Sequence, residues 1–127
     1  MSDKIILDTS FWIDYFGGTK RVEHSREVLT TGLAFTSIIA IAKLADKAAR
    51  DDRPFEEHLH FIQTHSTILP ISIEIALLAG KLKKKHRRSN NSFGLADAIH
   101  LATAGIHGAE LITLDQDFKG IAGVRVI

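Results

Sequence analysis

Short apolar runs alternate along this chain with longer stretches whose apolar residues recur every three or four positions. The runs are KIILD (4–8), LAFTS (33–37), STILPI (66–71), ELITL (110–114) and VRVI (124–127). Each is short and rich in β-branched residues, so each reads as a buried strand. The periodic stretches between them read as helices: FWIDYF (11–16), KRVEHSREVLTTG (20–32), SIIAIAKLADKA (37–48), PFEEHLHFIQTH (54–65), IEIALLAGKLKKKHRR (73–88) and LADAIHLATAGIHG (95–108). Gly17–Gly18, Gly32 and Gly108 punctuate them. Thr36 or Ser37 is placed to cap the helix that follows, and Pro54 suits a first helical position.

Strands alternating with helices predict an α/β fold. The expected architecture is a three-layer α/β/α sandwich around a short, mostly parallel sheet. At 127 residues, with no repeat, low-complexity tract or linker, residues 1–127 read as one domain. Cysteine is absent, which rules out a disulfide framework and a Cys-based zinc site. The start, MSDKIILD, lacks the basic and apolar regions of a signal peptide, and no apolar run has the length of a membrane span. The expectation is a cytoplasmic protein. Net charge is +1, but KLKKKHRR (81–88) holds six of the sixteen Lys and Arg, which leaves the rest net acidic. That run reads as a solvated helix end, or as a contact for an anionic polymer.

Candidate chemistry lies in four aspartates at element ends. Asp8 follows IIL, Asp115 follows LITL with Asp117 two residues on, and Asp97 lies in the first turn of LADAIHLATA. In open α/β sheets ligands gather at the carboxyl ends of the strands. Each acid also has a local reading, as a helix cap or a turn former. Brought together, they would repel one another unless a cation or proton intervened, and such a cluster suits a hard ion such as Mg²⁺ or Mn²⁺.

IILDTSFWID, SIIAIAKLADKA, LADAIHLATA and LITLDQDF, in that order, resemble the blocks of PIN domains and most closely those of VapC-type toxins. The resemblance implies a PIN-like fold and a Mg²⁺- or Mn²⁺-dependent ribonuclease acting on RNA, held by a VapB-like antitoxin and forming a homodimer. It also implies the site: Asp8, Asp97, Asp115 and Asp117 as catalytic and metal-holding acids, with Thr9 and Ser10 supplying supporting hydroxyls.

The resemblance breaks at one position. Lys43 stands where the family's helix block carries a glutamate. A helical wheel puts Ile38, Ile41, Ala42, Leu44, Ala45, Ala48 and Ala49 on one face and Lys43 on the other. Two readings remain: solvated surface paired with Asp46, or a cation lining the acidic cleft. The second weakens metal binding and catalysis, and makes a catalytically impaired protein that binds RNA or antitoxin the alternative. A phosphatase with Asp8 as nucleophile is disfavoured, because Ser10 stands where a second aspartate is needed. The seven histidines show no zinc spacing. Phe11, Trp12, Phe16 and Phe35 are expected in the core or in a dimer surface.

Overall fold

The computed structural model describes residues 3–18 and 26–127. Five strands form the sheet: β1 (Ile5–Leu7), β2 (Ala34–Ser37), β3 (Thr67–Leu69), β4 (Glu110–Thr113) and β5 (Val124–Val126). The helices are α1 (Thr9–Gly17), α2 (Arg26–Thr30), α3 (Ile38–Arg50), α4 (Glu56–His65), α5 (Ile73–Arg87) and α6 (Leu95–His107), with a 3₁₀ turn at Gln116–Phe118. The anticipated helix over 20–32 is seen as α2; positions 19–25 lie outside the described residues.

The strand order is β3-β2-β1-β4-β5, and every pairing is parallel. From β1 the chain builds outward through β2 and β3, then returns to the other side of β1 for β4 and β5. The order therefore reverses between β1 and β4, the switch point at which an open α/β sheet leaves a crevice.

The period-two alternation of the strands divides the core into two layers. Ile6 and Leu111 face α5 and α6, among Ile75, Ala79, Phe93 and Leu101. Ile5, Leu7 and Ile112 face the other side, among Phe11, Trp12, Leu29, Leu44 and Ile62. Helices thus cover both faces, as the three-layer expectation requires. Phe11 and Trp12 are fully buried, and the indole Nε1 donates to Thr36 Oγ1 at 3.1 Å, so the polar end of the ring is satisfied. Phe16 and Phe35 are half-buried at the edges of the two layers.

Ser37 caps α3 by accepting from Ile39 N, and Gly108 ends α6 at φ 61°, a left-handed conformation that glycine adopts without strain. Pro54 is not the first helical residue: Phe55 is the N-cap, and α4 begins at Glu56. The wheel drawn for α3 is corrected as well. Only Ala40 and Leu44 are buried on it, while Ile38, Ala42, Ala45 and Ala49 are exposed. Apolar periodicity identifies a face but does not say whether the fold covers it.

Candidate active site

Asp8 leaves the end of β1 and caps α1, where it is 4% exposed. Its Oδ1 accepts from Ser10 Oγ at 2.6 Å and from Phe11 N at 3.0 Å, and its Oδ2 accepts from Thr113 Oγ1 at 2.5 Å. Each hydroxyl owns one hydrogen, and both hydrogens go to Asp8. The 3.2 Å approach of Ser10 Oγ to Thr113 Oγ1 is then a close contact between two acceptors. Their lone pairs are used as well: Ser10 Oγ accepts from Leu114 N and Thr113 Oγ1 from Asp115 N, both at 3.0 Å. This network locks the carboxylate to the junction of β1 and β4. Burial pushes the Asp8 carboxyl above the ordinary carboxylate range. The bonds from Ser10, Thr113 and Phe11 N oppose that shift, and the charge of Asp115 adds to it.

Asp97 is the third residue of α6. Its Oδ2 accepts from Gly94 N at 2.8 Å, which closes the first turn of the helix. Partial burial raises its carboxyl. The Gly94 N–H opposes this, Asp115 and Asp117 raise it further, and the charge of Lys43 lowers it. Asp115 caps the 3₁₀ turn by accepting from Asp117 N at 2.9 Å. Three of the four aspartates therefore do the local capping that the plain reading assigned them. They also stand close enough to act on one another electrostatically, which that reading does not predict.

The donor set is oxygen-only and negatively charged, the chemistry a hard divalent cation requires. Mutual repulsion within it, Asp115 on Asp8 and Asp115 with Asp117 on Asp97, makes a cation favourable there. The spacing is looser than a finished coordination sphere: among the described residues no three His, Asp or Glu groups are placed to hold a metal ion.

Lys43 is exposed on α3 and makes no ion pair within 4 Å among the described residues. The expected partner, Asp46, pairs instead with Arg50 at 3.3 Å. The charge of Lys43 reaches Asp97 and His100.

His100 is 2% exposed, one turn along α6 from Asp97. Its Nε2 lies 3.4 Å from Thr9 Oγ1, and its buried Nδ1 has no hydrogen-bond partner among the described residues. Burial, with a smaller contribution from Lys43, pushes the imidazole down to about 4. Of the two anticipated hydroxyls, Ser10 supports Asp8 while Thr9 meets His100. Thr113 was missed; its one trace in the sequence is a hydroxyl inside the apolar run ELITL. His58 is stacked on Phe16, with ring centroids 3.9 Å apart.

A family model described as PIN domain matches residues 5–124. Ribonuclease VapC1 of Rickettsia felis is 28% identical over 132 aligned positions, which cover 97% of this chain and 94% of that protein. A chain of a toxin–antitoxin complex from Klebsiella pneumoniae superposes with a TM-score of 0.80 at 29% identity, over 97% of both chains. A chain of DNA-bound VapBC from Salmonella typhimurium superposes with a TM-score of 0.77 over 98% of this chain and 96% of that one; at 23% identity it speaks to the fold.

Proposed function

Since this chain belongs to the PIN domain family, we propose that it is a VapC-like toxin: a metal-dependent endoribonuclease weakened by Lys43. The observation that carries this reading is the mutual repulsion of the carboxylates gathered where β1, β4 and α6 meet. Such a cluster is costly to a fold that has no use for it. Likeness to Ribonuclease VapC1 and to the Klebsiella complex supports RNA as the substrate and a VapB-like antitoxin as the partner.

In this reading Asp8, Asp97, Asp115 and Asp117 hold Mg²⁺ or Mn²⁺, which when bound supplies positive charge to the phosphodiester and activates water. The chain's own residues do the rest. Ser10, Thr113 and Phe11 N hold Asp8 in one orientation. Gly94 N fixes Asp97. The Thr113 hydroxyl also fixes the backbone at Asp115, so one side chain sets two acids at once. Lys43 brings a positive charge within electrostatic reach of Asp97, where the family resemblance implies a glutamate, and would so compete with a divalent ion for the same negative charge.

A homodimer fits the same reading. Ile73 and Leu77 on α5 and Leu95 at the start of α6 are 81%, 66% and 52% exposed, an apolar set that a second copy would cover. Among the described residues no helix is long and apolar enough to cross a membrane.

Lys43 and the open spacing of the acids favour one second reading, a catalytically impaired protein that still binds RNA or antitoxin. Incubating the protein with structured RNA and Mn²⁺, beside Asp8→Ala, separates the two. Cleavage that needs both the ion and Asp8 supports the nuclease; RNA retained but uncut in both supports the binding protein.

A further inference from the structure

The acids border a second feature. A polar cavity of ≈ 300 Å³ opens between the end of α5 and the turn after β4, lined by His86, Asn90, Phe93, Gln116, Asp117 and Lys119 among others. Its size is at the lower end of small-molecule sites, which start at about 300 Å³. It shares Asp117 with the acid cluster. We propose that this pocket receives a nucleobase of single-stranded RNA beside the phosphodiester that the acids engage, and that Gln116 and His86 read its edge.

The lining decides the class of ligand. One carboxylate, one ammonium, two carboxamides and an imidazole carry little net charge and many donors and acceptors. That set suits a neutral, polyfunctional heterocycle better than a free anion or an apolar side chain. The side chains divide the work. Asn90 is frame: its Nδ2 donates to the Asp117 carbonyl at 3.4 Å, and its Oδ1 accepts from Ser92 N at 2.9 Å. It ties the loop after α5 to the 3₁₀ turn and so holds the two walls in place. Gln116 is exposed on that turn and makes no side-chain hydrogen bond among the described residues, so both ends of its amide are available. His86 packs against the fully buried Phe93, centroids 5.1 Å apart, which fixes its ring. Burial and the charge of Lys85 hold the imidazole below its usual range, so at neutral pH it offers one donor and one acceptor.

The surroundings suit a polynucleotide. The basic end of α5 stands beside the pocket. Arg87 is spent on the loop, donating from Nε and Nη2 to the Asn91 carbonyl. Lys84, Lys85 and Arg88 make no ion pair within 4 Å among the described residues and are free for flanking phosphates. The acid cluster repels a backbone phosphate unless a cation is present. The basic end and the pocket give RNA a hold that needs no metal.

This inference rests on the reading of the chain as an RNA-binding PIN protein, and its test omits both metal and cleavage. The four 5′-ribonucleoside monophosphates and ribose 5-phosphate are titrated in EDTA into the uniformly ¹⁵N-labelled protein and followed by amide shifts. The expected result is saturable movement of residues 86–93 and 116–121, with at least one nucleotide binding more tightly than ribose 5-phosphate. Gln116→Ala and His86→Ala, each with an otherwise native spectrum, should weaken that nucleotide by about three- to tenfold, the worth of one hydrogen bond. Ribose 5-phosphate should be unaffected. Equal binding of sugar phosphate and every nucleotide, movement confined to other residues, or variants that bind like the parent would each overturn the pocket. Base-dependent binding by a protein that cuts no RNA would keep the pocket and remove the nuclease; cleavage without base-dependent binding would do the reverse.

Discussion

Helices α3 and α6 each contribute one residue that bears directly on the acids, and they hold it in opposite ways. On α6, Ala98, His100, Leu101, Ala102, Thr103 and Ala104 are buried, so the helix that carries Asp97 is part of the core along most of its length. On α3 only Ala40 and Leu44 are buried, and Lys43 projects from a rim that the fold barely uses. A substitution on α6 must be accommodated by close-packed neighbours. A change of charge at exposed Lys43 meets solvent, and reaches Asp97 only through space. The proposed site would thus have a constrained wall and an adjustable one, with Lys43 on the adjustable wall.

The largest effect that tests the constrained wall is the pH response of His100. Unfolded, its imidazole takes a proton near 6.5; folded, it does so near 4. Between those values the unfolded state binds more protons than the folded state. The contribution is therefore fully present above pH 6.5 and is lost as pH falls towards 4, on the order of 3 kcal/mol in all. Asp8 and Asp97 act in the other direction. Their raised carboxyls take up protons in the folded state first, so acid relieves part of their cost as pH falls towards the ordinary carboxylate range. Urea midpoints at pH 7.5 and 4.5 should drop steeply in the parent and much less in His100→Leu. Equal drops in both would show that the wall is not sealed around this imidazole.

The legible and illegible parts of the molecule divide along the same line. The alternation of apolar runs and periodic stretches was enough for the sandwich, because buried parallel strands and their covering helices leave different periods in the sequence. Ser37 and Gly108 were legible because each acts on backbone within a few residues, while Ser10 came from the family resemblance. His100 and Thr113 were not. Their partners, Thr9 and Asp8, are 91 and 105 residues away in the chain, and no local pattern encodes such a contact. The exposed alanines of α3 were misplaced for a related reason: Ala42 and Ala45 fit an apolar face, and being small they cost little when nothing covers it. The four acids were singled out as candidates by their positions at element ends. How far apart they stand is a property of the fold alone.

Lys43→Glu tests the adjustable wall, with an effect of intermediate size. It replaces a positive charge by a negative one beside Asp97, so two units of charge change where a divalent ion would bind. Mn²⁺ affinity, read by calorimetry or by the loss of the free-ion electron paramagnetic resonance signal, should rise by about tenfold or more. Cleavage of structured RNA should rise with it. Unchanged Mn²⁺ affinity would mean that Lys43 does not oppose the ion, and the two helices would no longer differ in what they contribute.

The smallest effect is the one the comparison most needs. If α3 is a rim, removing the Lys43 side chain should leave the fold untouched. No ion pair within 4 Å is lost, no cavity opens at an exposed position, and alanine is the better helix former. Lys43→Ala should therefore change the unfolding free energy by no more than about 0.5 kcal/mol, as ordinary surface substitutions do. One loss works against this. Lys43 offsets part of the repulsion among Asp97, Asp115 and Asp117, and without it the Asp97 carboxyl should rise further above its usual range. That loss is felt at neutral pH, where Asp97 is charged, and fades as Asp97 takes up a proton. Denaturation at pH 7.5 and at pH 4.5 separates the two contributions. A deficit well above 0.5 kcal/mol that disappears in acid would make Lys43 the counter-ion that holds the cluster together, and α3 would then be as structural as α6.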